Sequence, residues 1–269
     1  MIPVLPLFLP NGHGAQLLQL KRQHENHLAE LLKPLESRFL VAEREAVGVA
    51  GIAQATAQAW EANQRVLDVL LPPAVRSTLA LPMPGVDSST ASPPVVTDHQ
   101  SYDSAQQLFA HLARDWSTAG AAAREKTHRP VLRLLRRAHW RRAALRVLVP
   151  GAGMARLAWE IARLGHRVEA NDASVNMVVA AHSLISSALP RRSLNFYPGV
   201  RCEAGALQRT PACLVATQAP DVAPARPPLN LTLQAADFLE FYGGQGAASW
   251  DVLVTCYFLD TLDAAAVVR

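Results

Sequence analysis

Leu17, Leu18, Leu20, Leu28, Leu31 and Leu32 recur at three-to-four spacing, and an alanine-rich stretch carries the pattern through Trp60 and Val66 to Leu70. That is the period of helices with one apolar face, so two or three helices are expected over residues 14–71, closed by Pro72 and Pro73. The pattern then lapses. Residues 81–97 set Pro82, Pro84, Pro93 and Pro94 among Ser88, Ser89 and Ser92, the composition of a disordered linker. A new unit opens near Tyr102, with a helix over 104–116 (Leu108, Leu112 and Trp116 on one face), a break at Gly120 and a second helix over 129–139. Three regions follow: a helical region over 1–80, a Pro/Ser-rich linker over 81–101, and an α/β unit over 102–269.

Beyond residue 145 the period changes. Residues 146–150 form a short apolar strand, 154–164 an amphipathic helix ending at Gly165, and 167–171 a second strand. A strand, helix and strand joined by a glycine turn imply a parallel sheet wound right-handedly, with the ligand at the carboxyl ends of its strands. Helix continues over 175–189. Residues 190–228, rich in proline, read as a long irregular insert, and two further strands are expected over 229–234 and 251–256.

Half of the 269 residues are apolar, enough for a core domain with a helical extension. The net charge is +4, and the basic residues cluster mainly in one stretch, with Arg124, Lys126, Arg129, Arg133, Arg136, Arg137, Arg141 and Arg142. It reads as a solvated helix face or, alternatively, as a nucleic-acid-binding helix. Cys202, Cys213 and Cys256 have neither disulfide nor zinc spacing, which points to a reducing compartment. The apolar opening of the chain lacks a basic n-region and is broken by prolines, so neither a signal peptide nor a membrane span is expected.

The turn Pro150-Gly-Ala-Gly-Met-Ala-Arg156 lets backbone approach a ligand closely, at the start of a helix whose free N–H groups point the same way. Arg156 stands where the dinucleotide fingerprint wants glycine or alanine, which argues against NAD. Asp172, 21 residues after Gly151, ends the second strand, where a carboxylate can accept both hydroxyls of a ribose. Each feature has a plainer reading: a tight strand-to-helix turn, and an N-cap for the helix from Ala173 onward. Asp237-Phe238 after the third strand can hold a purine by edge and face, or can be a capped turn with a core Phe. The fourth strand runs out to Tyr257, Phe258 and Asp260, an acid that either orients a nitrogen nucleophile or caps a helix from Thr261 onward.

Five segments in order resemble the carnosine N-methyltransferase family, a branch of the class I methyltransferases that acts on histidine imidazole. They are Leu112-Ala-Arg-Asp-Trp-Ser, Val147-Leu-Val-Pro-Gly-Ala-Gly-Met-Ala-Arg-Leu-Ala-Trp-Glu-Ile-Ala, Asn171-Asp172, Ala236-Asp-Phe, and residues 250–261. The stretch Arg156-Leu-Ala-Trp-Glu-Ile-Ala makes the resemblance specific, and Trp60-Glu-Ala-Asn-Gln matches the family's amino-terminal helices more faintly. The resemblance implies a Rossmann-like α/β fold and S-adenosylmethionine as cofactor, without a metal. Arg114 would grip the methionine carboxylate, with His111 where the family has glutamine. Gly151 and Gly153 would line the cofactor turn, Asp172 (usually glutamate in the family) would hold the ribose, Asp237 and Phe238 the adenine, and Cys256 would lie beside the cofactor. Asp260 matches the catalytic acid that positions the acceptor imidazole, and Ala155 replaces a glycine of the family turn.

A class I methyltransferase has seven strands, whereas about four are legible before Arg269. The resemblance therefore implies an incomplete sheet, truncated at its C-terminus, with the fourth strand as an apolar edge. It further implies carnosine or a protein histidine as substrate, a homodimer through the amino-terminal helices, and a cytoplasmic location extending to the nucleus. The competing readings are a truncated or inactive cofactor-binding remnant, an RNA methyltransferase suggested by the basic stretch, and, last, a nicotinamide oxidoreductase.

Overall fold

A computed structural model describes residues 5–8, 49–72, 105–139, 144–200, 214–224, 228–243 and 249–262. The helices expected over 14–48, the linker over 81–97 and two of the cysteines, Cys202 and Cys213, lie outside the described residues.

The alternation of strand and helix expected beyond residue 145 is present. β2 (Arg146–Pro150), α4 (Arg156–Arg163), β3 (Arg167–Asp172), α5 (Val175–Ser186) and β6 (Leu231–Ala235) follow one another, with the helices packed on a parallel sheet. Val147, Leu148 and Val149 are all buried, as a strand covered on both faces requires. Among the described residues the sheet has five strands, one more than the sequence suggested, in an order that runs from β1 (Leu7–Phe8) through β6, β3 and β2 to β7 (Val252–Leu253). The addition is β1 (Leu7–Phe8), laid parallel on β6 and fixed by the Leu233 N–H to Pro6 O (3.0 Å) and by His182 Nε2 to Leu5 O (3.0 Å).

β7 (Val252–Leu253) is far shorter than the expected 251–256. It pairs only with Val147 and Leu148 of β2 and leaves Leu253 half exposed, which places it at the sheet edge as expected. From β2 the chain steps through β3 to β6 on one side and returns to β7 on the other. The order of strands thus reverses at β2, and in open α/β sheets that switch point, at the carboxyl ends, is where ligands bind.

Three boundaries differ from the sequence reading. α3 (Ala121–His139) begins right after Gly120 rather than at 129, because Pro130 lies on its exposed face, where solvent can take up the carbonyl that a proline leaves without an amide partner. α4 begins at Arg156 rather than 154, since Gly151, Gly153 and Ala155 all hold positive φ and no helix can start before them. Finally, the insert 190–228 is not wholly irregular. β4 (Leu194–Phe196) and β5 (Thr217–Ala219) pair antiparallel, with Leu194, Phe196 and Ala219 buried. Phe196 stacks at 5.8 Å on Phe109 of α2 (Ala105–Trp116).

The first described helix, α1 (Val49–Leu70), packs on β4 and α5, and its Val66, Leu67 and Leu70 join the core that holds the sheet strands. Asn63, 1% exposed, takes the Tyr197 N–H on Oδ1 (2.8 Å) and gives Nδ2 to the Tyr197 carbonyl (3.1 Å), pairing with that backbone as a strand would. Among the described residues no helix is long and apolar enough to cross a membrane.

Candidate active site

The turn after β2 is left-handed at three positions: Gly151 at φ +61° and Gly153 at +53°, where glycine adopts it freely, and Ala155 at +55°, where the Cβ makes the same conformation strained. It is tied to the neighbouring strand by the Ala152 N–H to Asn171 O (2.9 Å). Asp172 ends that strand and reaches back, its Oδ2 accepting the Gly153 N–H (2.7 Å) while Oδ1 accepts the Ser174 N–H (2.9 Å). The N-cap of α5 is Ser174, whose hydroxyl accepts from the Met177 N–H (3.2 Å); Asp172 instead joins the turn to the end of β3. A Cβ on Gly151 would run into the Phe258 ring, and the backbone there is left-handed. Gly151→Ala is therefore expected to destabilise the fold by about 1–2 kcal/mol or more in urea unfolding; an unchanged midpoint would mean that the turn does not need glycine there.

α2 brings its last turn against the same place. The Arg114 guanidinium grips Asp115 with both arms (Nε to Oδ1 2.6 Å, Nη2 to Oδ2 3.0 Å), and its Nη2 also lies 3.1 Å from His111 Nδ1. A Cβ built on Gly153 would sit 2.9 Å from His111 Nδ1 and 3.5 Å from Arg114 Nη2, so both side chains stand directly over that glycine. Trp116 fixes the helix to the turn by giving its Nε1–H to Met154 O (2.8 Å). Half-buried Cys256 and exposed Tyr257 stand on the far side, Tyr257 holding its ring 5.5 Å from the Arg114 guanidinium carbon. A cavity of about 20 Å³ remains among Arg114, Asp115, Gly151, Cys256 and Tyr257, room for one water. Burial pushes the Cys256 thiol up, keeping it protonated.

Burial, and then the Arg114 charge, hold His111 below the usual imidazole range, and burial does the same for His182. The folded chain therefore binds fewer protons at these sites than the unfolded chain does. Their stability is fully present above the unfolded imidazole value of about 6.5 and is lost as pH falls below it. Urea midpoints should drop between roughly pH 7 and pH 5, with a shallower slope in His111→Gln; an identical slope in that variant would remove His111 from the explanation.

The third strand end contributes Asp237 and Phe238. Asp237 caps the short helix α6 (Phe238–Tyr242), its Oδ1 accepting from the Leu239 N–H (2.9 Å) and Glu240 N–H (3.0 Å), so the capped-turn reading describes that oxygen while Oδ2 stays outside the cap. Phe238 meets Phe258 edge-on at 5.5 Å, which links this strand end to the ring covering Gly151. Asp260, two residues beyond Phe258, is exposed inside a single 3-10 turn (Leu259–Thr261) and does not cap it; a helix running on from Thr261 would fall mostly outside the described residues.

His111, Arg114, Gly151, Gly153, Asp172 and Cys256 thus meet around one turn, with Asp237 and Phe238 one strand away and Asp260 exposed two residues beyond Phe258. A sequence profile described as carnosine N-methyltransferase matches residues 92–267, which takes in this entire site. The chain belongs to the carnosine N-methyltransferase family. It is 30% identical over 165 residues to the mouse carnosine N-methyltransferase, a match covering 59% of this chain and 40% of the mouse protein. The Drosophila melanogaster protein, carnosine N-methyltransferase unmet, is 32% identical over 162 residues (58% of this chain, 35% of that one). The fission yeast carnosine N-methyltransferase is 31% identical over 174 residues (61% and 46%). The chain therefore spans less than half the length of these curated relatives.

The stretch that makes the family resemblance specific has a structural task. Arg156 lies between Trp116 and Trp159, at 4.8 and 5.3 Å from their ring centres, and binds Glu160 through Nε (2.9 Å) and Asp221 through Nη1 (2.6 Å). Glu160 in turn faces His128 of α3 at 3.2 Å. Asp221 carried no sequence signal: it sits in the insert read as irregular, and only the fold brings it to Arg156.

Proposed function

We propose that this chain binds S-adenosylmethionine at the glycine turn and serves transfer of its methyl group to an imidazole nitrogen of carnosine or of a related histidine-containing peptide. The observation that carries the reading is the convergence of a cation and a carboxylate on one glycine: Arg114 stands over Gly153, and Asp172 binds its N–H. That donor set suits a ligand with an amino-acid carboxylate at one end and a ribose diol at the other. Membership of the family supplies the methyl-transfer chemistry.

When bound, the cofactor supplies an electrophilic methyl group on a sulfonium. Arg114, with His111 beside it, would hold the carboxylate, Asp172 the ribose, and Asp237 through Oδ2, with Phe238, the adenine. Cys256 would line the wall next to the reacting end. Asp260 would accept the N–H of a neutral imidazole, which leaves the lone pair of the opposite nitrogen for the methyl carbon, and would take up that proton once the ring is methylated. Most of the catalytic effect would then come from holding nucleophile and methyl in line. We assign the cytoplasm, extending to the nucleus, because the sequence lacks disulfide spacing.

The test incubates the chain with methyl-labelled S-adenosylmethionine and carnosine, with a histidine-containing protein in parallel, and reads the products by mass spectrometry. A labelled dipeptide is expected, lost in Asp260→Asn while cofactor binding persists. Cofactor binding without labelling of either acceptor would contradict methyl transfer by this chain.

A further inference from the structure

An α-helix leaves its last four carbonyls without intrahelical partners. In α2 these belong to Ala113, Arg114, Asp115 and Trp116, and all four are taken. Ser117 Oγ donates to Ala113 O (2.5 Å), Arg124 Nη1 to Arg114 O (2.5 Å), Arg156 Nη1 to Asp115 O (3.3 Å), and the Asp221 N–H to Trp116 O (2.6 Å). The Asp221 carboxylate then binds both arginines, Oδ2 to Arg124 Nη2 at 2.5 Å and Oδ1 to Arg156 Nη1 at 2.6 Å. One residue from the insert thus fixes three of the four carbonyls, the last directly and the two before it through the arginines. The three side chains are 13%, 8% and 6% exposed for Asp221, Arg124 and Arg156, so water does little to screen them.

We propose that Asp221 is a positioning residue for Arg114. By anchoring the final turn of α2 it sets the direction from which the Arg114 guanidinium reaches Gly153. By occupying Arg124 and Arg156 it also keeps two further cations away from the buried carboxylate of Asp115, which Arg114 needs as its own partner. This rests on the reading of Arg114 as the contact for the cofactor's carboxylate. Asp221 touches no ligand itself, and its effect is confined to the amino-acid end of the site.

Two ligands separate that effect from general loss of structure. S-adenosylhomocysteine carries the amino-acid end; 5′-methylthioadenosine has the same adenine, ribose and thioether without it. Calorimetric titration of the 269-residue chain should show Asp221→Asn weakening S-adenosylhomocysteine about tenfold, the scale of one charge-assisted hydrogen bond, with 5′-methylthioadenosine unchanged. Arg114→Ala should abolish the difference, and adding Asp221→Asn to it should cost nothing more. Equal weakening of both ligands, or of neither, in a folded Asp221→Asn chain overturns the proposal. Should that variant fail to fold, Arg124→Ala, which removes only the donor to the Arg114 carbonyl and one partner of Asp221, must show the same selective loss or the proposal falls. Wild-type protein that binds neither ligand would instead remove the cofactor reading itself, and this inference with it.

Discussion

Arg156→Ala should lower unfolding stability by about 3–5 kcal/mol, the scale set by breaking a buried ion pair from one side. The substitution strips Asp221 and Glu160 of a cation, takes the donor from the Asp115 carbonyl, and empties the space between the Trp116 and Trp159 rings. Asp221 keeps Arg124 and Glu160 keeps His128, so neither acid is left wholly alone, which sets the upper end of the range. Arg129→Ala provides the comparison, because the Arg129–Glu125 pair is half exposed on both sides and such pairs contribute little. Urea unfolding followed by tryptophan fluorescence reads both. A loss in Arg156→Ala no larger than in Arg129→Ala would show that the specific stretch 156–162 is not a structural brace.

Asp172→Ala should weaken S-adenosylmethionine binding at least about 100-fold. Two kinds of contact disappear together: the carboxylate proposed for the ribose hydroxyls, and the acceptor that holds the Gly153 and Ser174 amides in place. Charge-assisted hydrogen bonds contribute about 1.5–3 kcal/mol each, so losing two exceeds two orders of magnitude in affinity. Asp172→Glu keeps the carboxylate and should stay within about tenfold of wild type, because one added methylene lengthens the reach without removing the charge. Equal affinities for the Ala variant and wild type in a calorimetric titration would remove Asp172 from the site.

The segments that the sequence made legible are those where local pattern and tertiary role agree. The apolar run of β2, the glycine turn and the acid closing β3 could be read one residue at a time, since a doubly covered strand must be apolar and a left-handed turn favours glycine. β1 could not be read in this way: two residues paired with Leu233 and Gln234, and led in by Leu5, whose carbonyl meets the His182 side chain, have no periodicity to detect. The β4–β5 pair hid among prolines, although the alternation of Leu194, Asn195 and Phe196 now explains itself as burial against α1 and Phe109 of α2. At the site, the family resemblance brought out His111 and Arg114. The Asp115 carboxylate that grips Arg114, and the closure of α2 by Arg124, Arg156 and Asp221, depend on contacts spanning up to 97 residues and became visible only in the fold.

The most direct test of the account is calorimetric titration of the folded 269-residue chain with S-adenosylmethionine, followed by displacement with S-adenosylhomocysteine. A single saturable site per chain, displaced by the product, is the predicted result. Folded protein that gives no binding heat, and no shift in its unfolding midpoint at saturating cofactor, would contradict the assignment of the glycine turn as a cofactor site.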